Sequence, residues 1–400
     1  MTDEAVVALT ERLVATPSPN LPGDERAVAK VVQETLSELA LPRATVIAKT
    51  PERPNLSVTI DLGPGGRHLC LSGHLDTKPI GSASWSTDPM VPTVDGDRMY
   101  GLGTCDMKGA IAAMLVAARD VIDADVDRGK LTLLFTADEE YGAAFGARYL
   151  AEEQAVTADA VLIGEPGGVV DDWDALHLVS RGIANLSIDV TGDQGHSSLS
   201  DVRHPVSATQ EMAWLMLQMA ERFHPSAPEH PLDRTGPTVN VGVTVEGGVG
   251  FGVVPGSATF AVDVRLLPGM DRKVFEDELD AFLAACRSER PTLRPTVRFE
   301  APPRDWLPPT EVLESDPLVP VSRRAMESVL GEPPPLAIFP GTTDAAWIQG
   351  LAGIPTLPAC GPGLLSRAHG ADEFVSISAL KQARRIYARI ASEYCLSDAT

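Results

Sequence analysis

The chain has 400 residues, which exceeds one ordinary domain, so two domains or one domain with a large insertion are expected. Thirty-three basic against 55 acidic residues give a net charge of −22, and this negative field makes nucleic acid and anionic membranes poor partners. Aromatic residues make up only 5% of a composition that is 44% hydrophobic, so Ala, Val and Leu are expected to form most of the core.

Cysteine usage and the start of the chain favour a reducing compartment. The five cysteines are scattered and none forms a Cys-x-x-Cys pair, so neither a disulfide framework nor a thiolate zinc site is expected. The segment Met1–Glu4 contains no basic stretch followed by an apolar one, so no secretory signal is expected. We therefore predict a cytoplasmic protein.

The first part of the chain predicts an α/β domain. Helical patterns alternate with short apolar runs that are typical of buried strands, and this rhythm favours a mostly parallel sheet covered by helices. The predicted elements are helices Thr2–Ala15 and Asp24–Ala40, strands Leu56–Ile60 and Leu69–Ser72, helix Ala110–Ile122, strand Leu131–Thr136, helix Ala143–Glu152 and strand Ala158–Ile163.

The pattern changes near residue 180. Apolar and polar residues alternate strictly in runs that start at Ala184, Val239 and Phe260, and such alternation predicts a sheet covered on one face only. Two helical segments, about Pro205–Phe223 and Asp271–Arg287, separate these strands. A four-stranded sheet with two helices is the economical interpretation of residues 180–299.

The first pattern resumes after Pro308-Pro309, a dipeptide typical of a connecting segment. The simplest organisation is one α/β domain over residues 1–179 and 300–400, interrupted by an inserted α+β domain over 180–299. The resumed elements are helix Pro317–Val329, strand Leu336–Phe339, helix Asp344–Gln349, strand Ile354–Pro358 and a terminal helix Ser376–Tyr394.

Histidines and acidic residues collect where the predicted strands of the first domain end. In open α/β sheets, sites form at the carboxyl ends of strands, so these side chains are expected to converge. So many carboxylates in one cleft would repel one another unless cations neutralise them. The residues are His74, Asp76, Asp138, Glu139, Glu140 and Glu165, together with Asp106 before a helix and His369 near the end of the chain.

This combination of side chains predicts a metal site. Imidazole and carboxylate ligands suit Zn²⁺, and also Co²⁺ or Mn²⁺. More carboxylates than one ion needs indicate two ions about 3.5–4 Å apart that share a ligand. Taken singly, each residue is better explained as a satisfied strand-end histidine, a helix cap or a surface acid. Their joint placement at successive strand ends favours the metal site.

A series of motifs in the same order resembles the M20 metallopeptidase and deacylase family. The resemblance covers nearly the whole chain and is greatest to the acetylornithine deacetylases, with succinyl-diaminopimelate desuccinylases and glutamate carboxypeptidases as relatives. It implies that the inserted domain serves as a lid and dimerisation domain. The motifs are Gly73–Thr77, Tyr100–Gly109, Thr136–Glu140, Gly164–Pro166, Gly195–Ser198, Asp263–Met270 and Gly361–Gly363 with His369 to Glu373.

The resemblance implies a set of metal ligands. Asp106 would bridge two zinc ions, with His74 and Glu165 completing one coordination sphere and Glu140 and His369 the other. It further implies a cis peptide bond after Asp106.

Two further residues of the cleft receive roles from the same resemblance. Asp76 would hold the His74 imidazole and fix its tautomer. Glu139 would be the general base that takes a proton from the attacking water and returns it to the leaving amine.

Substrate contacts are also implied. Arg265 and Asn240, on the polar faces of their strands, would hold a substrate carboxylate, a task that suits a bidentate guanidinium. His196 would reach across a dimer to stabilise an oxyanion. Gly341 and Thr342 would contact the substrate. Without the resemblance, Arg265 is equally well explained as a solvated arginine, and His196 is better explained as an exposed loop histidine.

These expectations describe a homodimer, formed through residues 180–299, that hydrolyses the amide bond of an N-acyl amino acid or a small dipeptide-like substrate. Deacetylation is the leading activity. A desuccinylase or carboxypeptidase is the alternative, because Gly341–Ala345 resembles the loop of those enzymes. A non-catalytic metal-binding protein would have no use for Glu139, and the negative charge of the chain disfavours a phosphoesterase.

Overall fold

The computed structural model describes residues 2–302 and 304–398. The α-helices are α1 (Asp3–Val14), α2 (Arg26–Glu38), α3 (Gly109–Asp123), α4 (Ala147–Glu152), α5 (Ser200–Arg203), α6 (Ala208–Arg222), α7 (Arg272–Glu289), α8 (Leu318–Leu330), α9 (Ala345–Ala352) and α10 (Ile377–Leu396). The strands are β1 (Thr45–Ala48), β2 (Pro54–Gly63), β3 (His68–His74), β4 (Thr93–Asp95), β5 (Arg98–Tyr100), β6 (Gly129–Thr136), β7 (Ala160–Ile163), β8 (Pro166–Gly168), β9 (Leu176–Ser180), β10 (Gly182–Thr191), β11 (Gly195–His196), β12 (Thr238–Gly247), β13 (Val253–Val254), β14 (Ser257–Leu266), β15 (Pro295–Phe299), β16 (Trp306–Leu307), β17 (Thr310–Glu311), β18 (Leu336–Phe339), β19 (Thr356–Leu357), β20 (Gly361–Leu364) and β21 (Phe374–Ser376).

The chain folds as two compact units, one over residues 1–180 and 310–400 and the other over 181–309. The second boundary lies further along the chain than the sequence-based value of 299/300. The reason is strand β16, which pairs with β10 of the second unit and therefore keeps residues 306–307 in that unit.

The first unit contains a six-stranded sheet in the order β1-β2-β6-β3-β7-β19. Strands β6, β3, β7 and β19 are parallel, whereas β1 and β2 pair antiparallel at one side. The predicted α/β class with a largely parallel sheet is confirmed, and the antiparallel edge is the part that the sequence pattern did not predict. Because β3, β6 and β7 run in parallel, their carboxyl ends meet at one edge of the sheet.

Helices cover both faces of this sheet. Helix α3 is apolar on every side and almost entirely buried, as expected for a central helix, and it packs against α10, α1 and β3. On the opposite face, α4 and α9 pack on alternate strand residues such as Cys70 and Val161. Helix α4 begins at Ala147 rather than at Ala143, because Ala143 has a left-handed φ of +57° and lies in the turn before it.

The second unit has an antiparallel sheet in the order β12-β14-β10-β15, with the short β16 also paired to β10. Helices α6 and α7 supply the apolar residues that pack on it, so the predicted combination of two helices and a sheet is present with a fifth, two-residue strand. The alternation along β12 is interrupted by a bulge between Val241 and Val245, where Gly242 has φ +77°. No described helix is long and apolar enough to cross a membrane.

Candidate metal centre and active site

Asp106 lies in a tight turn between β5 and α3. Gly103 has φ +81°, and a Cβ there would lie 2.6 Å from Thr77, so glycine is required at this position. The expected cis peptide bond between Asp106 and Met107 is present. Glu373 Oε1 accepts hydrogen bonds from the backbone N–H groups of Cys105 at 3.0 Å and Asp106 at 3.2 Å. The turn is therefore anchored by a buried carboxylate from the other end of the chain.

The two carboxylate oxygens of Asp106 face two different histidines. His74 Nε2, at the end of β3, lies 2.9 Å from Asp106 Oδ1, and His369 Nε2 lies 3.0 Å from Oδ2. Glu165 follows β7, and its Oε1 is 3.5 Å from His74 Nε2. On the other side, Glu140 Oε2 lies 3.2 Å from His369 Nε2. The structure thus brings together all five predicted ligands, one group on each side of Asp106.

Asp76 organises this edge of the sheet in a way that the sequence only partly predicts. Its carboxylate accepts hydrogen bonds from the backbone N–H groups of Glu139 at 3.2 Å and Glu140 at 3.1 Å. The Nδ1 atom of His74 lies closer to the Asp76 backbone carbonyl, at 3.0 Å, than to the carboxylate, at 3.5 Å. The main chain of Asp76 is therefore the nearer partner of the imidazole, and its side chain holds the turn that carries the two glutamates.

The surroundings of the two histidines and of Asp106 favour the charged forms of all three side chains. Burial by itself would lower the pKa of His74, but its hydrogen bonds to Asp106 and Asp76 hold it well above the usual range. Burial also opposes protonation of His369, yet contacts with Asp106 and Glu140 raise its pKa to about 10. For Asp106 burial would raise the pKa, but both histidines outweigh it and lower the pKa.

Two other carboxylates of the cluster, those of Glu139 and Glu165, have raised pKa values. Burial and the neighbouring charges of Asp344 and Glu140 raise the pKa of Glu139 well above its usual value, despite the opposing effect of His74. Burial and the Asp106 charge do the same for Glu165. In the protein alone, the surroundings of Glu139 and Glu165 therefore favour their protonated forms.

The donor set fits a metal centre. Nitrogen and oxygen atoms of two groups, His74 with Asp106 and Glu140 and His74 with Glu139 and Glu165, lie within 4.8 Å of one another. Oε1 of Glu140 is buried without a hydrogen-bond partner among the described residues, which leaves one carboxylate oxygen for an ion. Imidazole and carboxylate donors are those that zinc and similar divalent ions prefer, and their positive charge would replace the protons described above.

Three residues beside this centre were not assigned roles by the sequence patterns. Lys78 Nζ contacts Glu140 Oε2 at 2.9 Å and donates to the Glu140 carbonyl at 2.5 Å. Asp344 is buried and accepts a hydrogen bond from Thr136 at 2.8 Å, and burial raises the pKa of Asp344 to about 7. Asn20 donates hydrogen bonds to Asp76 and Asp138 from a Pro-rich segment that carries no local signature of a site.

Two of the predicted substrate residues of the second unit, Arg265 and Asn240, share the partner Asp263. Arg265 donates to both carboxylate oxygens of Asp263, at 2.8 and 3.1 Å, and Asn240 donates to Asp263 Oδ1 at 3.2 Å. His196 is exposed, and its Nδ1 lies 2.8 Å from the Ser198 hydroxyl. Arg265 is thus held by an internal carboxylate, which the alternation pattern did not indicate.

The predicted loop residues Gly341 and Thr342 belong to the first unit and are partly buried, between β18 and α9. The Gly341 carbonyl accepts a hydrogen bond from Ser180 at 3.2 Å.

Comparison with known proteins identifies the class of this site. Residues 70–393 match the family described as Peptidase family M20/M25/M40. The chain is 30% identical over 405 residues to the acetylornithine deacetylase of Proteus mirabilis, with 98% of this chain and 97% of the relative covered.

Solved structures share the fold. An M20 family metallo-carboxypeptidase from Sulfolobus solfataricus has a TM-score of 0.74 at 19% identity and covers 98% of this chain and 99% of its own. A dinuclear metal-binding M20 peptidase from Bacillus subtilis has a TM-score of 0.68 at 15% identity, with 98% of each chain covered. The chain belongs to the M20/M25/M40 peptidase family, as its motifs predicted, and it is a hydrolase of amide bonds.

Proposed function

We propose that this protein is a two-metal amidohydrolase that removes the acyl group from an N-acyl amino acid, with Nα-acetylornithine as the first candidate substrate. The observation that carries the proposal is Asp106, whose two oxygens face two opposed groups of ligands, while Glu139 adjoins one of them. Similarity to an acetylornithine deacetylase over nearly the full chain supports the choice of substrate.

The ligand assignment follows the two sides of Asp106. His74 and Glu165 would hold one divalent ion and Glu140 and His369 the other, with Asp106 shared. Zn²⁺ is the proposed ion, with Co²⁺ or Mn²⁺ as substitutes. When bound, such ions polarise the amide carbonyl and lower the pKa of the attacking water.

Glu139 is the proposed general base. It takes one proton from the attacking water, whose oxygen forms the new bond to the acyl carbon. As the amide C–N bond breaks, Glu139 returns that proton to the leaving nitrogen, so that the products are a free amine and a carboxylic acid, which releases the second proton of the water to solvent. The direction of its pKa shift suits the first step, because a raised pKa makes the carboxylate a stronger base toward the water. The backbone bond from Glu139 to Asp76 keeps the carboxylate at the site.

Further roles are proposed on the family resemblance. His196 stabilises the oxyanion of the transition state, Arg265 and Asn240 bind a substrate carboxylate, and Gly341 and Thr342 contact the substrate. We also propose that the protein works in the cytoplasm as a homodimer formed through residues 180–299.

One screen tests the proposed substrate class. The protein is loaded with Zn²⁺ or Co²⁺ and offered Nα-acetyl-L-ornithine, N-succinyl-L,L-diaminopimelate and a set of dipeptides. The proposal expects kcat/KM to be at least tenfold higher for the acetyl substrate. Preference for the succinyl substrate or for dipeptides would support the second candidate, a desuccinylase or peptidase, which the resemblance of the loop Gly341–Ala345 favours. Absence of hydrolysis with all three classes would overturn the proposed function.

A further inference from the structure

An N-terminal segment runs beside the loop that follows β3. Ser18 Oγ donates to the Leu75 carbonyl at 2.7 Å, and the Thr77 N–H donates to the Ser18 carbonyl at 3.0 Å. The backbone N–H of Asn20 then donates to the Thr77 carbonyl at 2.8 Å. These bonds fix the main chain of Asn20 against the end of the strand that carries His74.

The side chain of Asn20 connects two strand-end loops. Its Nδ2 donates to Asp76 Oδ2 at 2.8 Å and to Asp138 Oδ1 at 2.9 Å. Asn20 is 2% exposed, and these two bonds use both hydrogens of its amide group. Asp76 follows β3 and Asp138 follows β6, so a single amide joins the ends of two neighbouring parallel strands.

Both carboxylates control the same turn. The oxygens of Asp76 accept the backbone N–H groups of Glu139 and Glu140, and Asp138 immediately precedes that pair. Asn20 therefore acts on the turn from both sides, although it does not touch the reacting atoms itself. The Nδ2 position requires a donor, because an acceptor there would face two carboxylates in a buried setting, whereas Oδ1 accepts from Arg53 Nη1 at 3.4 Å.

We propose that Asn20 is a positioning residue, which holds Glu139 and Glu140 in their working geometry by joining Asp76 to Asp138. The inference rests on the proposed function. Without the amide, Asp76 and Asp138 lose the donor that they share; Arg53 at 2.6 Å still compensates the charge of Asp138, but the link between the two loops is broken. The turn then shifts, and a displacement on the order of 1 Å at a catalytic group can lower a rate about 10²-fold.

The test compares Asn20→Ala with Asn20→Asp. Asn20→Ala removes the donor, and kcat is expected to fall about tenfold. Asn20→Asp keeps the shape but adds a third carboxylate, and kcat is expected to fall about 10²-fold. KM should stay within threefold in both, because Asn20 touches no substrate. A residue that only fills space would give the opposite order, with the isosteric Asn20→Asp the milder change.

A double variant and a matched control separate positioning from simple destabilisation. Asn20→Asp combined with Asp138→Asn restores an amide–carboxylate pair between the N-terminal segment and the loop after β6, but not the bond to Asp76, so part of the lost kcat should return. Asn55 is also buried; it donates to the Phe145 carbonyl and accepts from the Ala137 N–H, and none of its bonds goes to a carboxylate. Asn55→Asp is expected to lower the thermal midpoint while kcat per folded protein stays within threefold.

Zinc binding gives a readout that does not depend on turnover. In isothermal titration of the metal-free protein with ZnCl₂, Asn20→Asp should weaken at least one of the binding events tenfold or more, because Glu140 is displaced. If the wild-type protein hydrolyses none of the substrates, the proposed function fails while this titration still tests Asn20. The inference would be overturned if kcat and zinc affinity stayed within threefold of wild type in both single variants. If Asn20→Asp does not fold, Asn20→Ala alone decides.

Discussion

Replacement of Arg53 by methionine is expected to destabilise the protein strongly, because this guanidinium is the buried cation behind the site. Arg53 lies 2.6 Å from Asp138 and 3.0 Å from Glu25, and its side chain is only 7% exposed. It also stacks over the Phe145 ring at 5.3 Å. Removing one partner of a buried ion pair typically costs about 3–5 kcal/mol, since the other charge is left uncompensated.

The structure places the expected loss at the lower end of that range. Burial, with the Asp76 charge, raises the pKa of Glu25 to about 8 even with Arg53 present, so at neutral pH this carboxyl is mostly protonated and leaves little uncompensated charge when Arg53 is lost. Asp138 then remains as the main uncompensated charge, although Asn20 and the backbone N–H of Phe145 still donate to it. We therefore expect Arg53→Met to lower the free energy of unfolding by about 3 kcal/mol.

Arg12 provides a matched control. It also contacts two carboxylates, Glu34 at 2.6 Å and Glu38 at 2.9 Å, but its side chain is 35% exposed. Exposed pairs contribute about 0–1 kcal/mol, so Arg12→Met should cost less than 1 kcal/mol. Urea unfolding of the metal-free proteins, followed by circular dichroism, measures both values. Equal losses in the two variants, or a loss below 1 kcal/mol for Arg53→Met, would refute the reasoning from burial.

Three further predictions concern the base, the buried acid and the second unit. Glu139→Gln should lower kcat about 10²–10⁴-fold while metal content is retained, and full activity in that variant would exclude Glu139 as the base. The pKa of Glu25 is raised to about 8 in the folded protein, so the folded state binds the extra proton and stability falls as pH rises from about 4.5 to 8. Glu25→Gln removes this decline, so its free energy of unfolding, measured with urea, should gain about 2 kcal/mol relative to the wild type as the pH rises from 6 to 8. Parallel pH profiles of the two proteins would contradict this. His196→Ala should lower kcat about 10²–10³-fold with metals intact, and an unchanged kcat would remove this residue from the mechanism.

The convergence of the proposed metal ligands was predictable because strand direction brings their strand ends together, whereas the assignment of individual ligands came from the family motifs. His74 and Glu165 follow the neighbouring parallel strands β3 and β7, and a parallel arrangement puts both ends at one edge. Their spacing in the sequence is irrelevant once the strand order is known. The buried apolar runs therefore carried most of the information about the site.

The supporting network could not be predicted in the same way. Asn20 contacts Asp76 and Asp138, which are 56 and 118 positions away in the chain. The prolines and the glycine around Asn20 are typical of an ordinary loop and do not indicate a functional site. A buried polar contact of this kind depends on the packing of the whole domain, which a local pattern does not encode. The same reason applies to Arg265. Its partner Asp263 is a polar residue of the same alternating strand, and the alternation does not indicate a hydrogen bond between the two.

The central claim is that opposed ligand groups on Asp106 hold two ions that the hydrolytic reaction requires. The most direct measurement removes all metal with a chelator, adds back Zn²⁺ in steps, and records bound zinc per chain together with hydrolysis of Nα-acetyl-L-ornithine. We expect no activity in the metal-free protein, binding of two ions per chain, and loss of both the activity and the two-ion stoichiometry in Asp106→Ala. Full activity without metal, or two bound ions and normal turnover in Asp106→Ala, would contradict it.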